Sequence, residues 1–234
     1  MSAMHRLVLF DIDGTLLHSH GAGRRAMEAA LIDTFGTKGS PVYRFDGKTD
    51  RQIVRDLMRG AGFDDAVIDG RMPQVMERYV AGLQREIAAP DARIEALTGV
   101  IPLLDALVDR AHCVVGLLTG NLEPGAQQKL RAAGIGFERF TVGAFGSDHE
   151  VRAELPAIAQ RRARDRLGLH VEGRAVVIVG DTPSDIHCGR PIGARAIAVA
   201  TGHYTVNSLA AHDPDAVFSD LGDTEAVLAA IEHA

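Results

Sequence analysis

The stretch Leu7-Val8-Leu9-Phe10-Asp11-Ile12-Asp13-Gly14-Thr15-Leu16 decides how the rest of the chain is read. Four apolar residues run straight into two carboxylates, then a glycine and a hydroxyl. This is the pattern of a fully buried strand that delivers paired acids to its carboxyl end. Side chains at i and i+2 point to the same side of a strand, so Asp11 and Asp13 can face one reacting centre. Two like charges that close are costly unless a cation binds or one acid stays protonated. An edge-of-strand turn that caps the next segment needs one acid, not two.

The totals set outer bounds. A chain of 234 residues has room for one large domain or two modest ones. Its 46% hydrophobic and 24% charged residues are ordinary for a globular enzyme. A net charge of −6 argues against a nucleic-acid partner, which calls for a basic face or stripe. The basic residues are nearly all arginine, with lysine only at Lys38, Lys48 and Lys129. No apolar run approaches the roughly eighteen residues of a membrane span, so no membrane association is expected. Cys113 and Cys188 lie in apolar stretches, and no secretory leader is expected ahead of the first strand. They read as buried thiols in a reducing, cytoplasmic compartment.

Beyond the first strand the pattern changes. From about Gly21 to Asp91, apolar residues recur at helical spacing near 22–35, 49–61, 64–70 and 72–88, with a loop over 36–47. From Thr98 onward, strands alternate with helices. Thr98 opens a helix as its cap, and strands are expected at 112–120, near 140–145, at 175–181, 195–200 and 216–220. Helices fall between them at 124–133 and 151–167, each closed by a glycine (Gly134 and Gly168), then near 205–211 and at the end of the chain. The fold class is therefore α/β, a doubly wound and mostly parallel sheet with an inserted all-helical domain. The division expected is a core of residues 1–17 and 95–234 with an insert of 18–94.

Ligands of such sheets bind at the carboxyl ends of the strands. Three strands end in the same chemistry: Asp11 and Asp13 after the first, Thr119-Gly120-Asn121 after the second, and Asp181 and Asp185 in Gly-Asp-Thr-Pro-Ser-Asp after a third. Taken singly, Thr119 could be a helix N-cap and Gly180–Asp185 a capped helix start. Taken together they place four carboxylates, a hydroxyl and backbone amides in one crevice. A hard divalent cation with oxygen ligands resolves the repulsion, and Mg²⁺ suits a site of few carboxylates and phosphate oxygens.

These residues resemble the motifs of the haloacid dehalogenase superfamily, and of its phosphoglycolate-phosphatase-like branch in particular. Asp11-Ile12-Asp13-Gly14-Thr15 matches the first motif, Thr119 at the end of an apolar strand the second, and Gly180–Asp185 the acidic fourth. The insert falls where this branch carries its cap. The third motif is usually a lysine, but no lysine follows Lys129, and Lys129 belongs to the helix after Thr119. Arg152 is the candidate for that cation, able to grip phosphate in a bidentate way; Arg161, Arg162, Arg164 and Arg166 read as a solvated helix face.

The resemblance implies a Mg²⁺-dependent phosphatase acting on a small phosphorylated metabolite. Asp11 would be the nucleophile and form an aspartyl-phosphate. Asp13 would be general acid, then base, which requires that the proton affinities of the two be pushed apart. Mg²⁺ would be held by Asp11, the Asp13 backbone carbonyl, Asp181 and Asp185. Thr119, Gly120, Asn121 and Arg152 would stabilise the transferring phosphoryl group. In this branch a cap loop contacts substrate, so Gly47, Lys48 and Thr49 are candidates to reach the site, the alternative being a capped helix start with Lys48 in solvent. His18 and His20 are expected in solvent and His187 in helix packing. A haloacid dehalogenase has no need of Asp13, a phosphomutase would use both acids, and a phosphate-binding regulatory module would lack the helical insert.

Overall fold

A computed structural model describes residues 5–232. The first strand, β1 (Arg6–Phe10), is followed by a two-residue strand, β2 (Leu17–His18). Helices α1 (Ala22–Phe35), α2 (Asp50–Gly60) and α3 (Asp65–Ala88) come next, and β3 (Glu95–Ala96) returns the chain. Then follow α4 (Val100–Val108), β4 (Cys113–Thr119), α5 (Glu123–Ala132), β5 (Val142–Phe145), α6 (Leu155–Leu167), β6 (Val176–Gly180) and α7 (Pro183–Cys188). The chain closes with β7 (Arg195–Val199), α8 (Val206–Ala210), β8 (Ala216–Phe218) and α9 (Thr224–Glu232).

The main sheet has six strands in the order β5-β4-β1-β6-β7-β8, and every pairing in it is parallel. Counted along the chain, its strands run 3-2-1-4-5-6, the doubly wound order with its switch point at β1. Alternation along β1 explains the two layers. Val8 and Phe10 face a cluster with Leu103 and Leu107 of α4, Leu130 of α5 and Ile231 of α9. Leu7 and Leu9 face the opposite cluster with Leu155, Ala159 and Ala163 of α6. A strand covered on both sides has little room for polar side chains, which is why Leu7–Phe10 reads as an unbroken apolar run.

The helical insert has its own core. Met27 and Leu31 of α1, Ile53 and Leu57 of α2, and Val75, Tyr79 and Leu83 of α3 are buried together, joined by Leu122 from just ahead of α5. β2 and β3 pair antiparallel where the chain leaves and re-enters the sheet layer, a ladder too short to carry a periodic signal in sequence.

Three expectations need correction. The helices expected at 64–70 and 72–88 are one helix, with Pro73 inside it. Proline frees the carbonyl four residues back, but Asp69 and Pro73 are on the exposed face, where water replaces the lost bond while the buried stripe continues. Thr98 does not cap α4: Gly99 is the N-cap and makes no side-chain bond. Its φ of 79° suits glycine, and a Cβ there would overlap the Leu221 carbonyl. The helix expected at 151–167 begins as a short tight turn over Arg152–Glu154, so Arg152 precedes α6 rather than riding on it. Cys188 is buried and Cys113 only half so, both as free thiols. His187 is exposed, edge-on to His212. No helix among the described residues is long and apolar enough to cross a membrane.

Candidate active site

Asp11 and Asp13 lie just past the end of β1, so strand alternation no longer dictates where they point. The loop turns at Gly14, whose φ is 81° and whose place against the Asp181 carboxylate leaves no room for a Cβ. The two carboxylates consequently diverge. Asp11 is buried, and its carboxylate gathers with those of Asp181 and Asp185 within 4.8 Å. Asp13 turns the other way, towards α5 and β4's following loop.

Asp181, at the end of β6, accepts a hydrogen bond from Thr15 Oγ1 at 3.2 Å. Asp185 has two tasks on its two oxygens. Its Oδ2 accepts from the Thr182 amide and hydroxyl at 3.0 and 2.7 Å, completing a capping box at the start of α7. Its Oδ1 accepts from Arg152. Reading Gly180–Asp185 as a capped helix start was therefore correct as far as it went; the same residue also faces the site.

Arg152 Nη2 lies 3.1 Å from Asp11 Oδ1, while its Nε is buried with no hydrogen-bond partner. One guanidinium cannot neutralise three buried acids. Burial, with the Asp185 and Asp13 charges, pushes the Asp11 carboxyl up to about 6 against the opposing pull of Arg152. Burial, with the Asp185 and Asp11 charges, pushes Asp181 well above the usual carboxylate range. This hard-oxygen donor set, short of positive charge, fits a divalent cation.

Asp13 has different company. Lys129 Nζ donates to its Oδ2 at 2.7 Å, as does Asn121 Nδ2 at 2.8 Å. Ser19 Oγ donates to Oδ1 at 3.2 Å. Burial would raise this carboxyl, but the Lys129 charge and these donors outweigh it and hold it below its ordinary value. The proton affinities are pushed apart, though in the sense opposite to the one the acid–base division calls for. The reason is electrostatic: Asp11 shares Arg152 with other buried acids, whereas Lys129 pairs with Asp13.

Thr119 is fully buried and does not cap α5, whose N-cap is Leu122. Its Oγ1 accepts from Asn121 Nδ2 at 2.8 Å. Gly120 is a junction. Its carbonyl accepts from the Asp50 amide at 2.8 Å, and a Cβ on it would overlap the Lys48 carbonyl. Only glycine lets the helical insert approach the loop this closely.

The segment Gly47–Thr49 is pressed onto the sheet domain. Gly47, with φ of 69°, would bring a Cβ within 2.5 Å of Ser184 Oγ. Thr49 is both N-cap of α2 and donor to the Glu150 carbonyl at 2.6 Å. Lys48 lines the cavity and lies 3.6 Å from Asp56. His18 is half-buried and 3.0 Å from the Thr201 carbonyl, while His20 is exposed and paired with Glu95.

Together these groups enclose a cavity of about 450 Å³. Asp11, Asp181, Arg152, Thr119, Asn121 and Lys129 form its floor, and Arg24, Arg44, Phe45, Lys48 and Tyr79 line the side given by the insert. Sequence reasoning missed three members. Lys129 shares the buried stripe of α5 with Ala126 and Leu130, and a lysine on an apolar stripe was the available signal. Asp50 is buried and accepts from the Leu122 amide at 2.8 Å, and burial pushes its carboxyl up to about 6. Tyr79, buried on α3, lines the same cavity.

A family model for haloacid dehalogenase-like hydrolases matches residues 8–190. The chain belongs to that family. Among curated hydrolases it is similar to the phosphoglycolate phosphatase of Rhodospirillum rubrum, at 27% identity over 94% of this chain and 90% of that one. It is also similar to the probable phosphatase IndB of Dickeya dadantii, at 27% identity over 92% and 89%. Among solved structures, a hydrolase from Pseudomonas syringae aligns with a TM-score of 0.74 at 20% identity, over 98% and 100% of the two chains. CbbY of Rhodobacter sphaeroides in complex with phosphate aligns with a TM-score of 0.70 at 21% identity, over 94% and 96%. These structural likenesses bear on the fold: a haloacid dehalogenase-like sheet with a helical insert.

Proposed function

We propose that this protein hydrolyses a small phosphomonoester, of a size and charge akin to phosphoglycolate, with Mg²⁺ and through an aspartyl-phosphate on Asp11. It is a phosphoric monoester hydrolase of the haloacid dehalogenase-like family. The observation that carries the finer reading is the divergence of the two carboxylates: Asp11 faces the acid cluster and Arg152, and Asp13 has its own cation. A dehalogenase has no use for a second, separately positioned acid.

In this reading residues 1–17 and 95–234 form the catalytic core, of which 1–4 and 233–234 lie outside the described residues, and 18–94 form the cap. Mg²⁺ would be held by the Asp11, Asp181 and Asp185 carboxylates with the Asp13 backbone carbonyl, and would supply charge neutralisation for the approach of an anionic phosphoryl group. Asp11 attacks phosphorus, and the ester bond breaks towards the alkoxide, which takes its proton from Asp13. In the second half, water attacks phosphorus and gives its proton to Asp13, and the bonding pair returns to Asp11. Arg152, whose buried Nε is unpartnered, and Thr119 with the Gly120 amide hold the phosphoryl oxygens. The cap excludes water and presents Lys48, Arg24 and Arg44 to the leaving group.

The test is a panel of phosphomonoesters assayed with Mg²⁺ and with EDTA. Hydrolysis with the metal and loss of at least 100-fold without it is expected. Folded, metal-loaded protein that hydrolyses none of them would contradict the reading.

A further inference from the structure

Lys129 has no part in the phosphate grip described above, yet its side chain is only 4% exposed. Its ammonium donates to Asp13 Oδ2 and to Asn121 Oδ1, both at 2.7 Å. Asn121 in turn donates to the same Asp13 oxygen, so the three groups close a ring of hydrogen bonds on one face of the carboxylate. The stem comes from α5 in the sheet domain, but the groups above it come from the helical insert. A Cβ on Gly23 of α1 would sit 3.2 Å from Nζ and 3.7 Å from the Tyr79 hydroxyl. Asp50, at the start of α2, accepts from the Leu122 amide just before α5.

A buried lysine is costly unless it is paired and its donors are used. A salt bridge placed only for stability could sit anywhere in the core; this one sits on the carboxylate that must exchange protons with substrate and water.

We infer that Lys129 is a positioning residue for Asp13, aiming its carboxylate at the departing oxygen through the Asp13–Asn121–Lys129 ring that the helical insert covers. The inference rests on the phosphatase reading. Insert packing at Gly23 and Tyr79 keeps water from the ammonium, so the aim of Asp13 is set when the insert is seated. In the step concerned, the phosphorus–oxygen ester bond breaks, its pair goes to the leaving oxygen, and the proton passes from Asp13 to that oxygen. Lys129 keeps its own protons.

Leaving groups of different acidity separate aim from mere stability. An alkoxide needs the proton as it departs, whereas p-nitrophenolate leaves without it. Both the wild-type protein and Lys129→Met should be assayed on an alkyl phosphomonoester and on p-nitrophenyl phosphate, with kcat/KM as the readout. For Lys129→Met we expect a fall of about 100-fold on the alkyl ester and less than 10-fold on the aryl ester. Lys129→Gln, which keeps an N–H donor group but not the charge, should lose less on the alkyl ester than Lys129→Met and serves if the methionine variant does not fold. Equal losses on both substrates, or no loss on the alkyl ester, would overturn the inference. A wild-type protein that hydrolyses neither ester fails the phosphatase reading itself and takes the inference with it; that outcome is distinct because it is read on the unaltered chain.

Discussion

Two carboxylates separated by one residue keep opposite company in this molecule. Asp11 looks into a buried acid cluster that has one arginine for three carboxylates. Asp13 looks into a ring of donors centred on a lysine. Burial raises the first carboxyl, and the lysine lowers the second. Neighbours in sequence thus acquire different chemistry because the chain turns at Gly14 and because different elements, α7 and α5, supply their partners. In the proposed reading Asp11 is the nucleophile on the side whose three acids share one arginine, and Asp13 is the proton carrier on the side held by Lys129.

That comparison can be broken most severely at Asp11. Asp11→Asn removes the attacking oxygen's charge and should cost at least about 10⁴-fold in kcat, with the fold intact by circular dichroism. Near-normal turnover would transfer the nucleophile's role elsewhere. Arg152→Ala strips Asp11 and Asp185 of the guanidinium they share and should cost about 10²–10³-fold in kcat. Arg162, which clasps Asp148 with both terminal nitrogens at 2.6 and 2.7 Å and also bonds the Gly143 carbonyl, is the matched control. Its replacement by alanine should cost about 1 kcal/mol of stability and leave kcat within a few-fold.

The electrostatic half of the comparison is open to calorimetry. Asp11 and Asp50 are pushed up to about 6 by burial, and burial raises Asp181 as well. A carboxyl whose folded pKa is raised stabilises the fold in its protonated form. That contribution is fully present below the unfolded value of about 4 and is lost as pH rises through about 6. In EDTA the melting temperature should therefore be higher at pH 5 than at pH 7.5, by an amount on the order of 1–3 kcal/mol of stability. A divalent cation should recover part of that loss at pH 7.5. A melting temperature in EDTA that rises steadily from pH 5 to 7.5 would count against the uncompensated acid cluster. The smallest effect expected is at Gly23: Gly23→Ala places a methyl 3.2 Å from the Lys129 ammonium and should lower kcat only a few-fold, through Asp13, without a change in the metal requirement.

The sheet and the acids were legible in sequence because buried strands concentrate both signals. An unbroken apolar run marks a strand covered on two faces, and parallel strands leave their polar residues at one common edge. Asp11, Thr119, Asp181 and Asp185 could be placed together on that ground alone. Lys129 could not be assigned a partner, since its contact with Asp13 spans 116 positions and depends on which face of α5 meets the β1 loop. Asp50 was hidden for a different reason: an acid in the first turn of a helix already has a local explanation, and only the packed structure shows its bond from the Leu122 amide. The helices expected at 64–70 and 72–88 run on as one because a continuous buried stripe carries the chain past Pro73, which lies on the exposed face.

The most direct test of the account is to follow the phosphoryl group onto the chain. Substrate carrying labelled phosphate would be mixed with Mg²⁺-loaded protein, quenched in acid within one turnover, and the labelled peptide sequenced by mass spectrometry. The account predicts label on Asp11, and none when Asp11→Asn replaces the wild-type protein. Label on Asp13, or hydrolysis with no label on the chain at any quench time, would contradict it.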